Sequence, residues 1–149
     1  MHFDHPKQLL DHDGADLGSS DWMLIDQARI NGFADDTDDH QWIHVDPERA
    51  RSGPFGTTIA HGYLTLSLAP AMLAQVIDVD NVQAAVNYGL NKVRFTAPVP
   101  VGSRLRAGCR LARFERIDGG AQLTTVVTLE REGDSKPVCV AEWITRHFT

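Results

Sequence analysis

The sequence predicts an α+β domain in which an antiparallel sheet wraps around one buried helix. Two observations support this prediction. Residues 61–76 are apolar on nearly every side of a helix, which is typical of a helix buried in a core. Residues 82–148 contain runs in which apolar and polar residues alternate between tight turns, which is typical of an antiparallel meander. A chain of 149 residues fits one domain, so we expect residues 1–149 to fold as a single unit.

The N-terminal segment offers few apolar residues to a core. Residues 1–20 are mainly polar, so we expect them to pack loosely apart from Leu9, Leu10 and Leu17. Trp22 to Ile25 is predicted to be a short strand.

A first helix is predicted to begin after Asp26, a residue type that caps helices, and to end near Thr37. Its apolar residues share one face: Ile30, Phe33 and Ala34. Four acidic residues stand at its end: Asp35, Asp36, Asp38 and Asp39. The dipole at a helix C-terminus disfavours negative charge, and a local rule broken in this way is common at functional sites.

Residues 40–58 are predicted to form a loop that contains a short helix beginning at Pro47. The second helix is predicted from His61 to about Val76. Thr57 or Thr58 is a candidate cap for it, and Pro70 is expected to kink it.

Strands are predicted wherever apolar residues alternate. The alternating sets are Val82, Ala84 and Val86; Val93 and Phe95; Leu105, Ala107, Cys109 and Leu111; and Leu123, Thr125, Val127 and Leu129. Turns are predicted at Asp118-Gly119-Gly120 and at Gly133-Asp134, and a last strand from Val138 to Phe148.

Composition narrows the class of protein. The sequence shows no long apolar run and no apolar N-terminal leader, so we expect neither a membrane span nor a secretory signal. Cys109 and Cys139 lie in apolar stretches without metal or redox spacing, so we expect reduced core thiols and a cytoplasmic protein.

The charge is unevenly spread, although the net charge is −6. Residues 91–116 hold seven of the 14 basic residues and only one acid, Glu115. An acidic chain with one basic band is a poor nucleic-acid binder, but the band could hold a small polyanion such as the phosphates of coenzyme A. The same arginines could equally be the solvent-facing side of a strand, where alternation places Arg104, Arg106 and Arg110.

Asp39 and His44 are the first candidates for chemistry. A carboxylate and an imidazole on one short loop can share a water molecule, take a proton from it and return one. The spacing alone is more often structural, with Asp39 capping a turn and His44 satisfied within the loop. His40 and His44 have metal-ligand spacing, but the loop supplies no evident third ligand, so no metal is expected.

Gly62 is the third candidate. It stands at the predicted start of the buried helix, where its N–H is free and a missing side chain lets a substrate oxygen approach. Such a donor suits a thioester carbonyl that becomes enolate-like. A glycine that merely permits close packing is an equal alternative. No GxSxG, GxxxxGK[ST] or GxGxxG pattern occurs, which argues against serine hydrolases, P-loop proteins and Rossmann folds.

Taken together, FADDTDDHQWIHVDPERARSGPFGTTIAHGYLTLSL and NYGLNKVRFTAPVPVGSRLRAG resemble the MaoC-like family of (R)-specific enoyl-CoA hydratases, and most of all its actinobacterial members. The D-x4-H loop, the AHG helix start and the PVPVG turn occur in order from about Asp21 onward. The resemblance implies a hot-dog fold, a homodimer, an acyl-CoA substrate and no redox cofactor. It places the catalytic pair on Asp39 and His44 and the oxyanion donor on Gly62.

Further residues are expected to contact the substrate, and two departures from the family pattern affect how. The expected contacts are His61, Trp42, Phe55, Gly56, Lys92, Arg94 and Arg104. Gln41-Trp42 stands where many members have Asn-Pro, which should reshape the pocket mouth. Pro70 stands where some members have a serine, so no role of that serine is carried over. Two alternatives to a hydratase remain: a hot-dog thioesterase and a non-catalytic subunit that binds acyl-CoA or a partner protein.

Overall fold

A computed structural model describes residues 1–149 as a six-stranded antiparallel sheet with its helices packed on one face, together with a small two-stranded sheet. The α+β architecture predicted from the sequence is confirmed. The strands are β1 (His2–Phe3), β2 (Asp16–Ser19), β3 (Met23–Ile25), β4 (Asp78–Val79), β5 (Ala84–Phe95), β6 (Ser103–Ile117), β7 (Gly120–Arg131) and β8 (Cys139–Phe148). A 3-10 helix spans Pro6–His12, and the α-helices are α1 (Gln27–Thr37), α2 (Trp42–Val45), α3 (Pro47–Arg51), α4 (Gly62–Ser67) and α5 (Ala69–Leu73).

The sheet is only partly a meander. Strands β6, β7 and β8 are consecutive neighbours, as predicted, and Gly119 turns the β6–β7 hairpin at a φ of +70°, which glycine adopts without steric cost. Strand β5, however, pairs with β8 and not with the next strand along the chain. The connection after β5 contains Pro98 and Pro100, which lack the N–H groups that a tight hairpin needs. The sheet order is therefore β2-β6-β7-β8-β5, with β3 also pairing with β6.

The second predicted helix is two short helices. Leu68 separates α4 from α5, two residues before Pro70, which confirms the expected kink. Neither threonine caps α4: the N-cap is His61, and the Thr58 hydroxyl donates instead to the Gln27 side chain at 2.6 Å. The helix is also not buried all round, because Tyr63 is 71% exposed. The core side consists of Leu64, Leu68, Met72 and Leu73.

The N-terminal segment packs more tightly than expected. Phe3, Leu9 and Leu17 belong to the main core, with Leu9 fully buried, and β2 pairs with β6. Leu10, by contrast, is exposed. The 3-10 helix turns one leucine inward and its neighbour outward, which a count of apolar residues does not distinguish.

Strand β5 forms one edge of the sheet and is exposed or half-buried along its whole length. Val86, Tyr88, Leu90 and Phe95 leave large apolar surface uncovered there. No helix of the structure is both long enough and apolar enough to cross a membrane.

The two cysteines are confirmed as free core thiols. Burial raises the pKa of the Cys109 thiol to about 12 and that of the Cys139 thiol to about 11. Both are therefore protonated and chemically inert at neutral pH.

Candidate active site

The loop after α1 brings Asp39 and His44 to the start of α4. Asp38 ends α1 at a φ of 57°, in the left-handed region that commonly closes a helix, and the chain then turns into α2. Gln27 holds this loop in place. Its amide donates to the His44 carbonyl at 2.7 Å, while its side-chain oxygen accepts from Thr58. The sequence pattern gave no signal for Gln27, because its two partners lie 17 and 31 residues away.

His44 is buried, and its hydrogen bond defines its tautomer. The ring Nδ1 lies 2.7 Å from the carbonyl oxygen of Ile59. A carbonyl only accepts, so Nδ1 carries the proton and Nε2 keeps a free lone pair. His44 is therefore arranged as a base at Nε2.

The surroundings of His44 favour its neutral form. Burial is the main cause that lowers the pKa of His44 below its ordinary value of 6.5, and the nearby His61 ring lowers it further. The Ile59 carbonyl and the Asp39 carboxylate act in the opposite direction. At neutral pH the ring is therefore ready to accept a proton.

Asp39, His44 and His61 converge. One nitrogen or carboxylate oxygen from each side chain lies within 4.8 Å of the other two. Asp39 is exposed, whereas His44 and His61 are buried. A water molecule between the carboxylate and the His44 Nε2 would contact both, which is the arrangement expected for general acid–base work.

His61 occupies a different place from the one expected of a substrate-binding residue. It is only 2% exposed, and it is absent from the wall of the cleft beside His44. Its Nε2 lies 3.0 Å from the main-chain carbonyl oxygen of Asp39, and its ring stacks on that of His44 with centroids 3.8 Å apart. The AHG pattern is visible in the sequence. It does not predict that the His61 ring packs against His44 on the side away from the cleft.

His61 supplies the third potential metal ligand that the loop alone lacks, beside Asp39 and His44. Their geometry nevertheless does not suit an ion. A bound Zn²⁺ needs imidazole nitrogens about 2.0–2.1 Å away, with their in-plane lone pairs aimed at one point. The rings of His44 and His61 are stacked only 25° from parallel, so their lone pairs do not converge on a common point.

A cleft of about 340 Å³ lies beside His44. Of the predicted site residues, His44, Phe55 and Gly62 line it. Gly62 is the first residue of α4, so its N–H has no acceptor within the helix. A Cβ atom built on Gly62 would lie 3.1 Å from the ring of Phe95, so this wall has almost no room for a side chain.

Trp42 and Gly56 lie outside this lining. Trp42 is half-buried, with its ring against Gly53 and beneath the guanidinium of Arg49 at 4.4 Å. Gly56 is exposed and turns the loop at a φ of +70°. Their expected contacts with substrate are not evident in the cleft.

The three basic residues expected at the pocket mouth do not cluster. Arg104 lies on β6 and forms an ion pair with Glu132 at 3.2 Å. In the sheet, β7 and β8 lie between β6 and β5, which carries Lys92 and Arg94. Arg104 is therefore part of the solvent-facing side of a strand, as is Arg106, which pairs with Glu130. Lys92 and Arg94 line an outer groove with Thr96, which also lines the cleft. Only these two basic residues border a surface that reaches the site.

Two larger grooves, of about 420 and 370 Å³, lie between α5 and the inner face of β5 and β8. They meet at Pro70, Asn87 and Trp143 and include none of the predicted site residues. Both run along the exposed β5 edge.

Known proteins resemble this chain over most of its length. A family model described as MaoC like domain matches residues 11–133. A 3-hydroxyacyl-thioester dehydratase Z from Mycobacterium tuberculosis is 58% identical over 135 residues, covering 90% of this chain and 89% of the relative.

Solved structures share the fold. A monoamine oxidase regulatory protein from Archaeoglobus superposes with a TM-score of 0.83 at 24% identity, covering 100% of this chain and 97% of that one. The R-hydratase PhaJ1 from Pseudomonas aeruginosa superposes with a TM-score of 0.71 at 23% identity, covering 91% and 81%. The hot-dog fold implied by the sequence resemblance is confirmed. With its family match over most of its length, this chain belongs to the MaoC-like domain family.

Proposed function

We propose that this protein is a hydro-lyase that adds water to a trans-2-enoyl-CoA to give the (R)-3-hydroxyacyl-CoA, and catalyses the reverse dehydration. The observation that carries the proposal is that buried His44, whose Nε2 is left free by the Ile59 bond, lines the same cleft as Gly62 and has a ring nitrogen within 4.8 Å of the Asp39 carboxylate. The 58% identical dehydratase Z supports it, because its name describes the same chemistry in the dehydration direction.

In this mechanism Asp39 and His44 hold one water molecule next to C3 of the substrate. The pair removes a proton as the water oxygen bonds to C3, and the alkene electrons move onto C2 and the thioester carbonyl. The Gly62 N–H donates a hydrogen bond to the carbonyl oxygen, which carries negative charge at that point. A proton from the same pair then reaches C2, so one water molecule is added in total.

The tautomer of His44 fits this role. Since Nδ1 is committed to Ile59, proton exchange with water occurs at Nε2. The Ile59 bond also keeps the ring oriented while Nε2 gains and loses its proton. No step requires a redox cofactor or a metal ion.

The assembly that we propose is supported by an exposed sheet edge, and the location by two buried thiols. The uncovered β5 edge suits a homodimer, and the buried free thiols suit the reducing cytoplasm.

One assay tests the activity. The purified protein is incubated with crotonyl-CoA while enoyl absorbance and free thiol are followed together. Loss of the enoyl signal without thiol release is the expected result. Thiol release would instead identify a thioesterase, and no change in either signal would identify a binding subunit. Activity should survive extended chelation; loss on chelation with recovery on adding Zn²⁺ would contradict a metal-free mechanism.

A further inference from the structure

We propose that His61 is a positioning residue that holds Asp39 and His44 in their working arrangement without touching substrate. This inference rests on the proposed function, because it concerns the same catalytic pair. It assigns His61 a role that differs from substrate binding and that depends on one donor atom and one ring face.

The donor atom fixes the Asp39 loop. The His61 Nε2 lies 3.0 Å from the Asp39 carbonyl oxygen, and a carbonyl only accepts, so Nε2 carries the proton. This bond joins residues 22 positions apart and ties the start of α4 to the loop after α1. Asp39 is otherwise exposed, so its backbone needs such an anchor to keep the carboxylate near His44.

The ring fixes His44. His61 stacks on His44 at 3.8 Å, and its other neighbour is the ring of Phe33 at 4.9 Å, tilted by 55°. The His61 ring therefore packs between the helix that precedes the loop and the catalytic imidazole. With Nδ1 of His44 held by Ile59, this packing limits rotation of the His44 ring.

Direct contact of His61 with substrate is not available. Its remaining nitrogen, Nδ1, is buried and has no hydrogen-bond partner, and the ring does not line the cleft. The geometry thus leaves His61 to act through its two neighbours.

Two substitutions separate the donor from the ring. His61→Phe keeps an aromatic ring between Phe33 and His44 but removes the N–H. His61→Gln keeps an N–H at the distance of Nε2 but removes the ring. We expect His61→Phe to lower kcat about 10–100-fold with KM nearly unchanged, because a small displacement of a catalytic group can cost that much. His61→Gln should recover part of the kcat lost in His61→Phe, because it restores the donor to the Asp39 carbonyl but not the ring that packs on His44.

The control is His40→Phe, the same substitution at an exposed histidine of the same loop, which should leave kcat unchanged. Melting temperatures of all three variants show whether folding is intact. If Asp39→Asn abolishes hydratase activity while folded His61→Phe retains wild-type kcat, the positioning role is wrong and the proposed function stands.

A second readout does not depend on activity. Amide hydrogen exchange of residues 38–41 should be faster in His61→Phe than in the wild type and near wild-type in His61→Gln. If the wild-type protein proves not to be a hydratase, this readout still tests whether the His61 donor holds the loop. Unchanged exchange in His61→Phe would overturn the inference.

Discussion

Asp39 and His44 lie close together but differ in their exposure to solvent. The carboxylate of Asp39 lies in solvent, whereas the His44 ring is buried and bonded to Ile59. Replacing Asp39 therefore removes chemistry with little effect on packing. For His44 the best substitution is asparagine. Its amide nitrogen can take the place of Nδ1 and keep the hydrogen bond to the Ile59 carbonyl.

Asp39→Asn and His44→Asn should each lower kcat by about 10²–10⁴-fold, the usual contribution of a general acid–base group. The crotonyl-CoA assay measures this. Asp38→Asn is the matched control for Asp39, since it removes the same charge one residue away. Asparagine also tolerates the left-handed conformation that Asp38 adopts. Wild-type kcat in folded Asp39→Asn or His44→Asn would remove that residue from the catalytic pair.

Burial of His44 makes activity dependent on pH in a defined direction. Since its pKa lies below 6.5, the ring stays neutral until the pH falls below that value. We expect kcat/KM to fall on the acid side with a midpoint below 6.5, as protonation removes the base. A pH profile with crotonyl-CoA measures the midpoint, which belongs to the interacting pair. An acid midpoint above 6.5 would contradict a buried neutral base.

The same shift affects stability. In the unfolded chain His44 takes up a proton near its ordinary pKa of 6.5, before the folded chain does. The contribution of His44 to the free energy of unfolding therefore decreases as the pH falls below 6.5. His147, whose pKa is also lowered by burial, contributes in the same direction.

At the scale of residues, the sequence predicts groups that share one loop better than groups that the fold assembles. The D-x4-H spacing identified a pair that the structure brings together. His61 and Gln27 act through partners 17 to 31 residues away, so no local pattern marks their contacts. The sequence shows the charge of Arg104 but not its ion pair with Glu132, which directly follows the neighbouring strand β7.

At the scale of elements, local signals predicted where helices and strands lie. Asp26 caps α1 as expected, and β6 and β7 follow their alternation. Pairing partners were less predictable, because alternation reports which face is buried and not which strand lies alongside. For this reason the pairing of β5 with β8 was not predicted.

The 3-10 helix provides a stability test with a built-in control. Leu9 is fully buried, while its neighbour Leu10 is exposed. Leu9→Ala should lower the free energy of unfolding by roughly 2–5 kcal/mol, the range for deleting a buried leucine. Leu10→Ala should change it by less than about 0.5 kcal/mol. Urea unfolding at one fixed protein concentration measures both. Equal effects would mean that this segment does not belong to the core.

Strand β5 carries the two basic residues of the outer groove next to the cleft. Their groove shares Thr96 with the cleft, and we predict that Lys92 and Arg94 contact the phosphates of coenzyme A. Lys92→Glu with Arg94→Glu should raise KM for crotonyl-CoA at low salt and leave kcat nearly unchanged. The effect should be modest and weaken with salt, since exposed charge pairs contribute about 0–1 kcal/mol each.

Arg110→Glu with Arg116→Glu is the matched control for that test, since it changes the net charge equally on exposed positions of β6. Sedimentation of both double variants checks that assembly is intact. Equal KM values for the β5 variant and the wild type at low ionic strength would show that Lys92 and Arg94 are only solvated.

At the scale of the whole molecule, the β5 edge is the main sheet edge that no other strand or helix covers. It is 12 residues long, whereas the opposite edge consists of the short strands β2 and β3. Long apolar edges invite pairing with another chain unless they are covered. Two copies that join their β5 strands about a two-fold axis would cover this edge in both and enclose the two grooves beside it.

We therefore expect a homodimer in sedimentation velocity at micromolar concentration. Leu90→Asp, in the middle of the β5 edge, should shift the protein toward monomer. Leu24→Asp, at a similarly exposed leucine on β3, should not. A monomeric wild-type protein would contradict self-association, and it would direct the search toward a different chain as the partner for this edge.

The position of β8 has a consequence for how the chain is made. The last regular strand, Cys139–Phe148, lies inside the sheet with β7 on one side and β5 on the other. A ribosome delivers the chain from its N-terminus, so every strand except this one emerges before the sheet can be joined. Until β8 is released, β5 has no neighbour in the sheet and its apolar side chains stay uncovered. The nascent chain is thus vulnerable to aggregation between the synthesis of β5 and the release of β8.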